Sequence, residues 1–169
     1  HTLQHLSECF AHLGASRCSP DDPAALDLAL WFHDAIYDTK RNDNESRSAE
    51  WARRALAGLS AERLDRIEEL VLVTRHAAAP TTPDQELLLD VDLSILGATA
   101  ARFEQYESQV RFEYAWVPDE VYRDARGTFT RSVTATFFVA VLIMLLVRGQ
   151  TTQAVPYYGV GVFLPITVM

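Results

Sequence analysis

Leu28-Ala29-Leu30-Trp31-Phe32-His33-Asp34-Ala35-Ile36-Tyr37-Asp38 is the stretch that decides how this chain folds. It is an apolar run at helical length that carries an imidazole and a carboxylate side by side at His33 and Asp34. Burying that doublet is costly unless something compensates the charge. A divalent metal is the usual compensation, because neutral imidazole and carboxylate both ligate borderline or hard cations.

Working outward, the sequence reads as helices. Leu3, Leu6, Phe10 and Leu13 recur at helical spacing over residues 2–13. Gly14 and the Ser19–Pro23 stretch end that helix and open a second, with Pro23 suited to a first turn, and this helix is predicted to run to about Tyr37. A charged loop, Asp38–Asp43, precedes a helix expected from an Asn44 N-cap through Leu59. Ser60 caps the next, which carries Leu64, Ile67, Leu70, Val71 and Thr74 on one face. Pro80 and Pro83 bracket a turn, and residues 84–96 and 99–116 form two further helices. No strand pattern of comparable strength precedes residue 150. The expected fold is an all-α bundle.

A chain of 169 residues that is 49% hydrophobic can bury one sizeable core. Its net charge of −8 excludes sequence-independent binding to a nucleic-acid backbone, but not a small phosphorylated substrate held by one local basic pocket. Cys9 and Cys18 are too few for a disulfide framework and lack metal-knuckle spacing, so they read as reduced thiols of a cytoplasmic protein. The chain opens on His rather than Met, as a fragment lacking its original N-terminus would.

The charge pattern breaks near residue 125. Residues 1–124 hold all 23 acidic and 12 of the 15 basic residues, a net −11, whereas the remainder has only Arg126, Arg131 and Arg148. It contains the apolar run VTATFFVAVLIMLLV (133–147) and a Gly-, Tyr- and Val-rich ending. Three readings stand: a stretch translated out of frame, a membrane or interfacial anchor over 132–148, or a buried helix. The run is shorter than the roughly 20 residues a membrane helix needs.

Candidate ligands are His1, His5, His12, His33 and His76, with Asp34, Asp90 and Asp92 as carboxylates near apolar helical runs. His1 and His5 are four apart and share a helix face. Asp90 and Asp92 lie among leucines, where an acid needs a partner. A lone histidine is more often a satisfied core or surface residue than a ligand; the doublet with an acidic partner is not so easily explained.

The order His1-Thr2, His33-Asp34, Asp92 resembles the H…HD…D signature of the HD-domain superfamily of metal-dependent phosphohydrolases. The likeness is greatest to a bacterial subfamily of predicted HD phosphohydrolases. Its members carry stretches similar to His1–Leu6, Trp31–Asp38, Asp43–Ala49, Thr74-Arg75-His76, Asp90–Gly97 and Val110–Pro118. The resemblance covers residues 1 to about 126, and residues 127–169 depart from it: members continue there into a charged amphipathic helix region. They also have further residues before the first ligand.

The resemblance implies an HD-domain helical bundle with His1, His33, Asp34 and Asp92 as metal ligands; Asp90 is the alternative to Asp92. The cofactor would be a divalent ion, with Mn, Mg, Co, Zn, Ni and Fe equally open. The ion lowers the pKa of a bound water and draws charge from a phosphoryl oxygen, and Asp34 helps hold that water. His76 would hydrogen-bond the phosphate or protonate a leaving group, and Arg75 would contact the phosphate. Glu45 and Arg47 would stand at the mouth of the site, or else serve only a solvated helix start. The role of His5 is open. Trp31, Phe32 and Tyr37 read as core before substrate-stacking residues. Two function classes follow: a phosphohydrolase acting on a small phosphorylated substrate such as a nucleotide, or a non-catalytic metal- or nucleotide-binding regulatory module.

Overall fold

The computed structural model describes residues 2–127. The chain divides into two units, residues 1–113 and 114–169. Every regular element among the described residues is helical. The first unit comprises α1 (Leu3–Ala15), α2 (Pro23–Phe32), α3 (Asn44–Ala55), α4 (Ala61–Val73), α5 (Pro83–Asp92), a 3₁₀ turn (Leu93–Gly97) and α6 (Ala100–Glu113). In the second unit, residues 119–127 are helical. None of the described helices is long and apolar enough to cross a membrane. The tail readings, the 132–148 anchor included, lie outside the described residues, and so does His1.

Local chemistry explains the helix starts. Thr2, Asp22, Ser60 and Thr82 each accept a backbone N–H three residues on, satisfying a donor that no helical carbonyl reaches. Pro23 and Pro83 open their helices, where a missing N–H costs nothing. The predicted Ser60 cap is thus observed.

Other boundaries moved. The second helix stops at Phe32, not Tyr37, and His33 is its C-cap. Ala35 N–H turns back to the Phe32 carbonyl. The next backbone polar groups are then taken by α3: Ser48 Oγ accepts from Ile36 N–H at 3.0 Å and donates to the Ile36 carbonyl at 3.3 Å. Asn44 Oδ1 accepts from Asp38 N–H while its amide donates to the Asp38 carbonyl, both at 3.0 Å. Asn44 is therefore not the expected N-cap; Asp43 holds that position and Asn44 staples the loop. α3 ends at Ala55, short of Leu59. The helix expected over 84–96 is an α-helix to Asp92 followed by the 3₁₀ turn.

The core lies where α4 packs on α2 and α3, and α1 on α2 and α5. Leu26, Leu30, Ile67, Leu70, Val71 and Leu88 are fully buried there, each contributing roughly 1.5–3 kcal/mol. Leu64, Ile67, Leu70, Val71 and Thr74 are the buried face that the spacing predicted. Ala25 and Ala29 on α2 and Ala49 and Ala52 on α3 are also fully buried, and residues this small let helices approach closely.

Two polar links fix the helices that carry the site. Buried Asp84, in the first turn of α5, accepts Asp21 N–H at 2.7 Å and Asp22 N–H at 3.1 Å, tying the starts of α2 and α5 together. Arg102 on α6 grips Glu8 on α1 with two bonds of 2.6 and 2.8 Å, the planar fork that makes such pairs specific.

Candidate metal centre

Three chain segments converge on one carboxylate. Asp92 ends α5, His5 sits on α1, His33 caps α2, and His76 follows α4. Asp92 Oδ1 lies 3.1 Å from His5 Nε2 and 3.4 Å from His33 Nε2, and its Oδ2 lies 3.7 Å from His76 Nε2. Asp34, next to His33 in the turn, puts Oδ2 3.3 Å from the same His33 Nε2. Asp90 is exposed, and of the two acids on α5 it is Asp92 that meets the histidines.

The tautomer of His33 follows from one contact. Its Nδ1 lies 2.7 Å from the Leu30 carbonyl, which can only accept, so Nδ1 carries a hydrogen. Nε2 is then what faces Asp34 and Asp92. It is buried and has no hydrogen-bond partner among the described residues; the two carboxylates flank it without bonding geometry. A neutral His33 would aim a lone pair at two anions, which is untenable without a cation between them.

In the metal-free protein that cation is a proton. Burial pulls the His33 pKa down, and Asp34 and Asp92 more than reverse this, to about 10 against an ordinary 6.5. Burial likewise raises the Asp92 pKa, but the neighbouring imidazoles of His33, His5 and His76 hold it well below the usual carboxylate range. A raised histidine pKa stabilises the fold fully below 6.5 and ceases to as the proton leaves near 10. Metal-free protein is therefore expected to lose thermal stability across that window, read from melting curves in chelator at pH 6 and pH 10. A flat profile would contradict the charged His33.

The donor set also fits a metal. One ligand atom from each of His5, His33 and Asp34 lies within 4.8 Å of the others, and the same holds for His5, Cys9 and Asp92. The Nδ1–H to carbonyl bond of His33 is the support that commonly fixes a metal-ligating imidazole. A cleft of about 290 Å³ opens over this cluster, with His5, His33 and Asp34 polar and Leu3, Leu6 and Trp31 apolar.

His76 is the one non-glycine residue with positive φ among those described, at 52°. Such a backbone costs on the order of 1–3 kcal/mol and concentrates at functional sites; here it carries the ring toward Asp92. Arg75 is exposed, and Arg75 and Glu45 are not among the residues lining the cleft. Arg47 is exposed on α3, where Asn44 and Ser48, not Glu45 and Arg47, make the bonds that set the doublet's loop. Trp31, expected in the core, is 58% exposed on the cleft wall, while Phe32 packs against the core and Tyr37 is half-buried.

The role of His5 was open from the residues alone, and Cys9 read as a reduced thiol without a metal. Their spacing of four on α1 was the available signal, since it places both on one helix face. Cys9 is fully buried, with Sγ 3.6 Å from His5 Nε2 and 3.7 Å from both His5 Nδ1 and the Val91 carbonyl. Burial, then Asp92, Asp34 and Glu8, push its thiol up to about 12. Compared with family models, curated proteins and solved structures, the chain matches none.

Proposed function

We propose that this chain is a metal-dependent phosphohydrolase with an HD-type helical bundle, acting on a small phosphorylated substrate such as a nucleotide. The observation that carries the reading is buried His33 Nε2, unbonded and flanked by two carboxylates. His33, Asp34 and Asp92 would hold a divalent ion, with His5 as a further nitrogen donor; the resemblance also counts His1. When bound, the ion would lower the pKa of water and neutralise charge developing on a phosphoryl oxygen.

The chain's own residues supply the rest. Asp34 lines the cleft and accepts a hydrogen bond from the attacking water, orienting it. His76, partly exposed beside Asp92, donates a proton to the leaving oxygen. Leu3, Leu6 and Trp31 give the substrate's apolar part a surface. The two free thiols favour a reducing compartment, and the reading places the protein in the cytoplasm of a bacterium.

The test is phosphate release by the full chain from a nucleotide panel with Mn²⁺, Mg²⁺, Co²⁺ or Zn²⁺. Release is expected to depend on added metal and to fall at least about 100-fold in Asp34→Ala. Equal rates in mutant and wild type would end the proposal. An ion bound without any hydrolysis would instead favour a regulatory metal-binding module.

A further inference from the structure

We infer that Trp31 stacks on the ring of a nucleobase, so that the centre takes nucleotides in preference to sugar phosphates and other non-aromatic phosphoesters. The inference deepens the phosphohydrolase reading above and rests on it. Trp31 is 58% exposed in the last turn of α2, two residues before His33 and three before Asp34, and it lines the same cleft as both. Folding ordinarily covers most of an indole, because it is the largest side chain with an apolar body. Here its surface stays open beside the donor set.

The cleft opens between α1, which contributes Leu3 and Leu6, and the end of α2, which contributes Trp31. Leu3 and Leu6 are three apart and share a helix face. A flat ring entering there meets branched alkyl groups from α1 and the indole from α2, and planar π-systems stack on such an indole. The indole is held in advance: Phe10, itself packed against the core, tilts against it at 48° with ring centroids 5.4 Å apart. A surface already ordered loses little freedom on binding. Polar recognition is scarce by contrast. No lysine or arginine is among the described residues that line the cleft, and outside the donor set only the Thr2 hydroxyl and the indole N–H offer side-chain hydrogen bonds there. A bare sugar phosphate finds little in such a cleft beyond the ion, whereas a base adds stacking contact. Stacking does not read base edges, so the four bases should bind comparably.

The experiment follows indole fluorescence of the full chain in Zn²⁺, excited at the red edge where bases do not absorb. Its background is Trp51→Phe with Trp116→Phe, which leaves Trp31 as the only tryptophan; both replaced residues are partly exposed. The four nucleoside monophosphates are each expected to quench it saturably, and ribose 5-phosphate is expected not to. In the otherwise wild-type chain, Trp31→Ala should raise KM for the nucleotides at least about 10-fold with kcat little changed, and Trp31→Phe, which keeps a ring, should recover most of that loss. Hydrolysis of ribose 5-phosphate should be the same in all three proteins. Quenching by nucleotides without hydrolysis would uphold the stacking and end the phosphohydrolase reading. Hydrolysis of nucleotides without quenching, or an equal effect of Trp31→Ala on nucleotides and ribose 5-phosphate, would overturn the stacking and leave the phosphohydrolase standing. Neither quenching nor hydrolysis would overturn both.

Discussion

Asp92→Asn is expected to weaken divalent-metal binding by more than the roughly 10- to 100-fold that losing a supporting partner costs. Asp92 lies against His5, His33 and His76, at 3.1, 3.4 and 3.7 Å. Asparagine keeps the size and removes the charge, so the packing at the end of α5 is preserved while the anionic donor is lost. The readout is thermal unfolding with and without metal. An ion that binds only the native state raises the melting temperature in proportion to the logarithm of its concentration over Kd. Wild type should show that rise with Zn²⁺ or Co²⁺, and Asp92→Asn should show little of it. An equal rise in both would remove Asp92 from the site. The metal-free variant should also melt lower, because His33 loses one of the two carboxylates that hold its proton.

A second large effect is expected far from the ligands. Leu26→Ala should cost about 2–5 kcal/mol, a substantial part of the 5–15 kcal/mol that stabilises a typical domain. Leu26 is fully buried in the core on α2, so truncation removes apolar contact and leaves a cavity. Leu3→Ala provides the contrast: Leu3 is 81% exposed and should change stability by no more than about 0.5 kcal/mol. Urea unfolding of both variants measures the difference. Similar costs for the two would mean that α2 does not sit at the centre of the bundle. Because α2 ends at His33, loss of its packing should also lower metal affinity.

Several helices were legible from local signals, although the expected Asn44 cap was displaced to Asp43. The face of α4 was read from spacing alone, and Ser60 from its cap chemistry, since both depend on residues within one or two turns. The end of α2 was not legible. Ala35, Ile36 and Tyr37 continue the apolar run, so periodicity extends the helix through them. What stops it is a set of bonds from Ser48 and Asn44, whose partnership with Ile36 and Asp38 exists only once α3 has packed. The same reason separates the candidate ligands. His33, Asp34 and the two acids Asp90 and Asp92 stood out because polar groups inside apolar runs are costly wherever they fall; only the resemblance preferred Asp92 to Asp90. His5 and Cys9 carried only a four-residue spacing, and their meaning comes from α5 arriving against α1. His1 and the acid-free tail lie outside the described residues.

Trp31 shows the limit of composition as a guide. An indole inside an apolar helix is expected in the core, yet at the last turn of α2 it reaches the cleft, where Phe10 tilts against it at 5.4 Å. Position relative to the helix end, not residue type, decided its exposure.

The central claim is that the His33 Nε2 position between Asp34 and Asp92 is a cation site. Metal content decides it most directly. Full chain stripped with chelator, incubated with Zn²⁺, Co²⁺ or Mn²⁺ and dialysed against metal-free buffer should retain one equivalent of one of these ions, with Asp92→Asn retaining far less. Retention of none by the wild type, or equal retention by both proteins, would contradict it.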